Sequence, residues 1–151
     1  MCGIAGFSGK YGQDQSLHGA VVKCLEHRGP DAFGVWRNPN PSLALLHRRL
    51  SILDLSPEGK QPKLSHSGRF AITFNGEIYN FQILRQELEG KGFSFKGTSD
   101  TEVMLAAFEA WGVAAALPKF IGMFAFGVWD SAEQTLWLAR DRFGEKPLYY
   151  G

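Results

Sequence analysis

Four short stretches hold residue types that could act together on one substrate. MCGIAGF places Cys2 directly behind the initiator methionine. The attacking species of a cysteine enzyme is the thiolate, so some group must take the thiol proton. Removal of Met1 would free an α-amino group with an unperturbed pKa of ~7.7–8.0, and Cys2 would then carry its own base. HRRLSILDL puts Arg49 at the end of a strand-like run, where its planar fork of donors can hold a carboxylate bidentately. NGEIYN supplies Asn75 and Gly76, a side-chain N–H and a backbone N–H that a ligand can approach closely, which are the donors an oxyanion hole needs. GTSDTE adds Asp100, a carboxylate able to pair with an ammonium group.

Each stretch also has a bland counterpart. A second-position cysteine can be an incidental core thiol, and Arg49 a strand-end partner in a salt bridge. Asn-Gly is a common turn, and Asp100 could simply stabilise a helix start. Taken together, however, they provide a nucleophile, oxyanion donors, a carboxylate binder and an ammonium binder. That set suits the amide of an α-amino acid, since a buried zwitterion needs both an Arg and a carboxylate to offset its desolvation.

These groups must be positioned by short elements. CGIAGF reads as a strand, followed by a helix over about 15–27 that ends at HRGP with Gly29 as its cap. Leu17, Ala20, Val21, Cys24 and Leu25 recur at helical spacing, so Cys24 reads as a buried helix thiol. FGVWR and LALLHR are apolar runs of strand length, and the turn-rich segment from Ser51 to Ser67 reads as loop. RFAITFN alternates like a strand and runs into GEIYN. A helix over about 80–91 starts at Asn80 and ends near Gly90–Gly92, with FSF as a short strand after it. Ser99 and Glu102 have capping-box spacing, which puts Asp100 in the first turn of a helix ending near Gly112. GMFAFGVWD and TLWLARD, joined by SAEQ, form a β-hairpin, and PLYYG reads as one more strand. The mixed order favours an α+β fold with largely antiparallel sheets and helices packed outside them.

Composition narrows the function classes. A chain of 151 residues fits one domain that can bury a core without staples. With 16 basic and 15 acidic side chains the formal net charge is +1, and no basic cluster with interleaved aromatics appears, so a nucleic-acid partner has no support. No apolar run approaches the ~20 residues of a membrane helix and no signal peptide is seen, which implies a cytoplasmic domain. Two cysteines without secretory context do not argue for a disulfide.

MCGIAGF, HRGPD, HRRLSILDL, NGEIYN, GTSDTE, GMFAFGVWD and RDRFGEKPLYYG, in this order, resemble the N-terminal glutaminase domain of glutamine-hydrolysing asparagine synthetases, a class II glutamine amidotransferase domain. The resemblance covers essentially the whole chain, residues 1–151, as one glutaminase domain. It implies the N-terminal nucleophile hydrolase fold, a four-layer sandwich of two mostly antiparallel sheets between helical layers. It also implies that Cys2 attacks the carboxamide of L-glutamine and that Asn75 and Gly76 hold the oxyanion. By the same resemblance Arg49 binds the α-carboxylate, Asp100 with the Glu77 region binds the α-amino group, and Arg49, Leu50, Ser51, Ile52 and Leu53 line the pocket largely through backbone. No catalytic metal or cofactor is expected in this domain. ATP and Mg belong to the synthetase domain that follows in the family and is not in this chain. That domain, in cis or as a separate chain, is the implied ammonia-receiving partner, with asparagine formation as the leading reading. His18, His27, His47 and His66 are given no catalytic role. HRGPD and RDRFGEKPLYY are read as turns or domain contacts.

Overall fold

A computed structural model describes residues 2–50 and 59–151. Its strands are β1 (Gly3–Ser8), β2 (Ala32–Asn38), β3 (Leu43–Arg49), β4 (Lys63–Leu64), β5 (Phe70–Ile78), β6 (Gly122–Asp130) and β7 (Thr135–Arg140). Its α-helices are α1 (Gln15–Cys24), α2 (Phe81–Glu89), α3 (Asp100–Trp111) and α4 (Val113–Ala116). The strands form two antiparallel sheets, one ordered β1-β3-β2 and the other β4-β5-β6-β7.

Strand alternation explains why the sheets stack. In β3, Leu43 and Leu45 face the second sheet and cluster with Ala71 and Trp129, while Ala44 and Leu46 face the other way, against Val22 of α1. In β5 the parity reverses in the same manner. Ala71 faces the first sheet, and Phe70, Ile72, Phe74 and Ile78 join Leu84 and Leu88 of α2 and Val103, Met104 and Phe108 of α3. The layers are therefore α1, first sheet, second sheet and α2–α4. Phe108 centres the largest cluster, with Phe70, Phe120 and Phe126 at ring-centroid distances of 5.8, 5.8 and 5.7 Å.

Several expectations are corrected. Helix α1 stops at Cys24 and a 3-10 turn, Glu26–Arg28, replaces its last turn. Its buried residues are His18 and Val22, with Leu17, Val21 and Leu25 half-buried beside them, so Cys24 lies off the packed stripe and is exposed. His18 is structural, stacked on Phe7 and bonded to the Tyr11 carbonyl and to Arg37 Nε. Gly29 has φ −151°, not the left-handed value of a helix-ending glycine. It is small for another reason, since a Cβ there would lie 2.5 Å from the Arg48 carbonyl. Residues 93–95 are not a strand. Phe93 and Phe95 pack against the helical core, with Arg85 over the Phe95 ring. PLYYG is not a strand either, and Tyr149 and Tyr150 face solvent. Within the segment read as loop, Lys63–Leu64 pair with Ile72 and Ala71 as β4. Ser99 caps α3 by accepting from Glu102 N, but the Glu102 carboxylate turns to Lys96 N and Gly97 N instead of completing the box.

Candidate active site

Two hydrogen bonds set the sheets against each other in register. Thr73 Oγ1 donates to the Leu46 carbonyl at 2.9 Å, and His47 Nε2 donates to the Phe74 carbonyl at 3.2 Å. They advance together along β3 and β5, so Arg49 and Gly76 finish at the same end of the sandwich. Cys2 stands at that end too, one residue before Gly3, which pairs with Arg48.

The end of β3 and the turn at 28–31 hold the residue that precedes β1. The Cys2 thiol is half-buried with Sγ 4.0 Å from the Leu50 carbonyl. Arg28 Nε donates to the Cys2 carbonyl at 3.2 Å. Asp31 N donates to the Arg49 carbonyl at 3.1 Å, and Gly29 lies flat on the Arg48–Arg49 peptide. HRGPD is thus the turn that ties Cys2 to Arg49. By the alternation of β3, Arg49 faces the second sheet in line with Leu43, Leu45 and His47, whereas Arg48 faces the other way and pairs with Glu26 at 3.1 Å.

Strand β5 presents an edge to the same end. Its even residues turn their N–H and C=O groups away from β6. Phe70 O accepts from Ser65 N, Phe74 N donates to Gln61 Oε1 at 2.7 Å, and Ile78 N donates to Asp100 Oδ2 at 2.9 Å. Gly76 shares this parity, so its N–H points to the edge between two N–H groups that side chains already occupy. The Asn-Gly pair is not a turn here; it stays in the strand, opposite Ala125 and Phe124. Gly76 is required because a Cβ would sit 2.2 Å from the Met123 carbonyl. Asn75, 6% exposed, has the parity of Ala71 and Thr73 and faces the first sheet. Its carboxamide has no hydrogen-bond partner among the described residues.

Asp100 opens α3 and reaches back to β5 through Ile78 N. Burial pushes its carboxyl above the usual value, the Ile78 and Thr101 bonds pull it back in part, and the negative charge of Glu77 pushes it up again.

The structure therefore gathers Cys2, Arg49, Leu50, Asn75, Gly76, Glu77 and Asp100 at one end, while Ser51, Ile52 and Leu53 lie outside the described residues. Arg28, Gln61 and His47 were missed as contributors. HRGPD could have drawn attention to Arg28, but Gln61 and His47 act through contacts distant in sequence and carry no local signature.

The fold is α+β, the four-layer sandwich of the N-terminal nucleophile hydrolases, with a cysteine just before the first strand. The chain belongs to the glutamine amidotransferase domain family, which matches residues 1–151. It is similar to glutamine-hydrolyzing asparagine synthetase 1 of Bacillus subtilis, 41% identical over 155 residues, covering 99% of this chain and 24% of that protein. It is also 41% identical over 162 residues to amidase chry2 of Gibberella zeae, again 99% of this chain and 24% of the relative. The chain thus spans about a quarter of the length of these curated relatives. Among solved structures, glutamine phosphoribosylpyrophosphate amidotransferase from Bacillus subtilis, complexed with ADP and GMP, has the same fold, with a TM-score of 0.68 and 23% identity over 93% of this chain and 36% of that one.

Proposed function

We propose that this domain hydrolyses L-glutamine to L-glutamate and ammonia through a thioester on Cys2. The observation that carries the reading is the convergence of Cys2, Arg49, the Asn75–Gly76 edge and Asp100 at one end of the sandwich. With Met1 removed, the α-amine of Cys2 takes the thiol proton and the thiolate adds to the carboxamide carbon. The Asn75 side-chain N–H and the Gly76 backbone N–H hold the oxyanion, a contribution of about 2.7–4 kcal/mol per donor. Collapse of this intermediate expels ammonia, which takes the proton from the α-ammonium group, and water then cleaves the thioester. Arg49 holds the substrate α-carboxylate and Asp100, beside Glu77, its α-ammonium. Leu50, beside the Cys2 thiol, belongs to the pocket wall.

Residues 1–151 constitute this one domain, and the chemistry needs no metal or cofactor within it. Ammonia passes to an ATP-dependent synthetase partner, with a carboxylate such as aspartate as acceptor. The length of the asparagine synthetase relatives supports such a partner. A cytoplasmic setting suits these reactions, and no described helix is long and apolar enough to cross a membrane.

The test is turnover. Protein whose intact mass shows that Met1 is gone should release glutamate and ammonia from glutamine, and Cys2→Ala should abolish both while keeping the glutamine-induced rise in Tm. Wild-type protein that binds glutamine without ever releasing glutamate would be a binding module, and the catalytic reading would fall.

A further inference from the structure

Among the described residues, strand β5 has a strand neighbour on its outer edge for only two residues, because β4 begins at Lys63, opposite Ile72. Beyond it, at Phe74, both backbone groups are met by side chains from other parts of the chain. Gln61 Oε1 accepts from Phe74 N at 2.7 Å and His47 Nε2 donates to Phe74 O at 3.2 Å. We infer that Gln61 and His47 are positioning residues, a two-sided clamp on Phe74 that fixes the peptides carrying the Asn75 and Gly76 oxyanion donors. This inference rests on the glutaminase reading above.

The clamp is built into both sheets. His47 is directly opposite Gly34 in the β2–β3 register, and Gly34 lets the Gln61 backbone come so close that a Cβ there would be 2.1 Å from the Gln61 carbonyl. Residues 61–62 thus lie on the first sheet while the Gln61 carboxamide reaches across to the second. His47 is 1% exposed, and its Nδ1 has no hydrogen-bond partner among the described residues. The imidazole gives its one proton to Phe74 O through Nε2 and leaves Nδ1 unmet, a cost that a merely space-filling residue would avoid. A third strand in this position would continue the ladder and cover the Gly76 N–H. Two side chains instead hold Phe74 as a strand would, and no described residue takes up the Gly76 N–H at the next edge position. They also link the sheet that carries Cys2 to the sheet that carries the oxyanion donors.

The experiment measures steady-state glutamine hydrolysis in the full chain, with kcat expressed per site titrated by a Cys2-directed glutamine analogue, 6-diazo-5-oxo-L-norleucine. Since small misplacement of catalytic groups costs up to about 100-fold, Gln61→Ala should lower kcat about 10- to 100-fold and leave KM within about threefold. Gln61→Glu keeps an acceptor of the same reach and should return kcat to within about threefold of wild type, as should His47→Gln, which keeps a donor. Loss of folded protein lowers the number of titrated sites and leaves kcat per site unchanged, so it is separated from mispositioning. The clamp is refuted if Gln61→Ala keeps wild-type kcat per site, if Gln61→Glu is as impaired as Gln61→Ala, or if the whole effect lies in KM. In each of those outcomes wild-type turnover and its loss in Cys2→Ala leave the glutaminase reading intact. An inactive wild type sinks both.

Discussion

At the scale of single residues, two buried titratable groups make opposite statements about pH. Burial, only partly offset by the bond to Phe74, lowers His47 from 6.5 to about 4. Between those values the unfolded chain binds more protons than the folded one, so stability falls as pH drops below about 6.5 and levels off near 4. The limiting slope is about 1.4 kcal/mol per pH unit and the full effect about 3 kcal/mol. Urea unfolding across this window should show a shallower acid loss in His47→Gln than in wild type; equal slopes would refute the assignment. Asp100 is displaced the other way, raised by burial. Its folded form holds the proton more tightly, so ionisation costs stability as pH rises through its folded value, and an ammonium partner would recover that cost. The KM for glutamine should therefore climb on acidification at a higher pH than an ordinary carboxylate would dictate. Asp100→Asn should raise KM at neutral pH and remove this limb, which a KM series from about pH 4.5 to 7.5 would reveal.

At the scale of elements, the RDRFGEKP stretch gains a physical role. Asp141, 4% exposed, continues β7 past its last pair: its N–H donates to Phe124 O, and its carboxylate accepts from Phe124 N. The same carboxylate accepts from Phe143 N, Glu145 N and Lys146 N, and although burial opposes ionisation these bonds hold the group below the usual value. Phe124 is the residue opposite Gly76, so this turn backs the Asn75–Gly76 strand from its other side. Asp141→Ala would strand several buried N–H groups and should cost ~3–5 kcal/mol in urea unfolding, with Asp141→Asn losing less. A loss under about 1 kcal/mol would show that solvent replaces the carboxylate. The same stretch shows where sequence reading succeeds and where it stops. Long alternating or capped elements such as β5, β6 and α3 were readable because their pattern is local. FSF and PLYYG have strand composition but no strand to pair with, and Cys24 sits on a helix whose packed face is rotated from the one its spacing suggested. Cys2, Arg49, Asn75, Gly76 and Asp100 could be picked out by residue chemistry; Gln61 and His47 could not, because their roles arise from sheet stacking.

At the scale of the whole molecule, the site exists only because two sheets face each other in register. Cys2 and Arg49 belong to the first sheet and Asn75 and Gly76 to the second, so their separation is set by the layer between the sheets, not by any one element. That layer is thin: Leu43, Leu45, Ala71 and Trp129 are its buried cluster, with Trp36 and Leu136 packed beside them. The larger core, around Phe108, lies on the far face of the second sheet and touches none of the nucleophile's strand. Cavities in the two cores should thus have different consequences at similar energetic cost. Leu45→Ala should lose ~2–5 kcal/mol and Phe108→Ala ~3–5 kcal/mol, both measured by denaturant unfolding. In the folded fraction, however, Leu45→Ala lets the sheets shift against each other and should lower kcat per titrated site about tenfold or more, since catalysis is sensitive to sub-ångström misplacement. Phe108→Ala leaves the facing surfaces in place and should keep kcat per site within about threefold of wild type. Equal effects on kcat in the two variants would mean that the sheets do not set the distance between nucleophile and oxyanion donors, and that local contacts such as Arg28 on Cys2 and Asp100 on Ile78 hold the geometry by themselves.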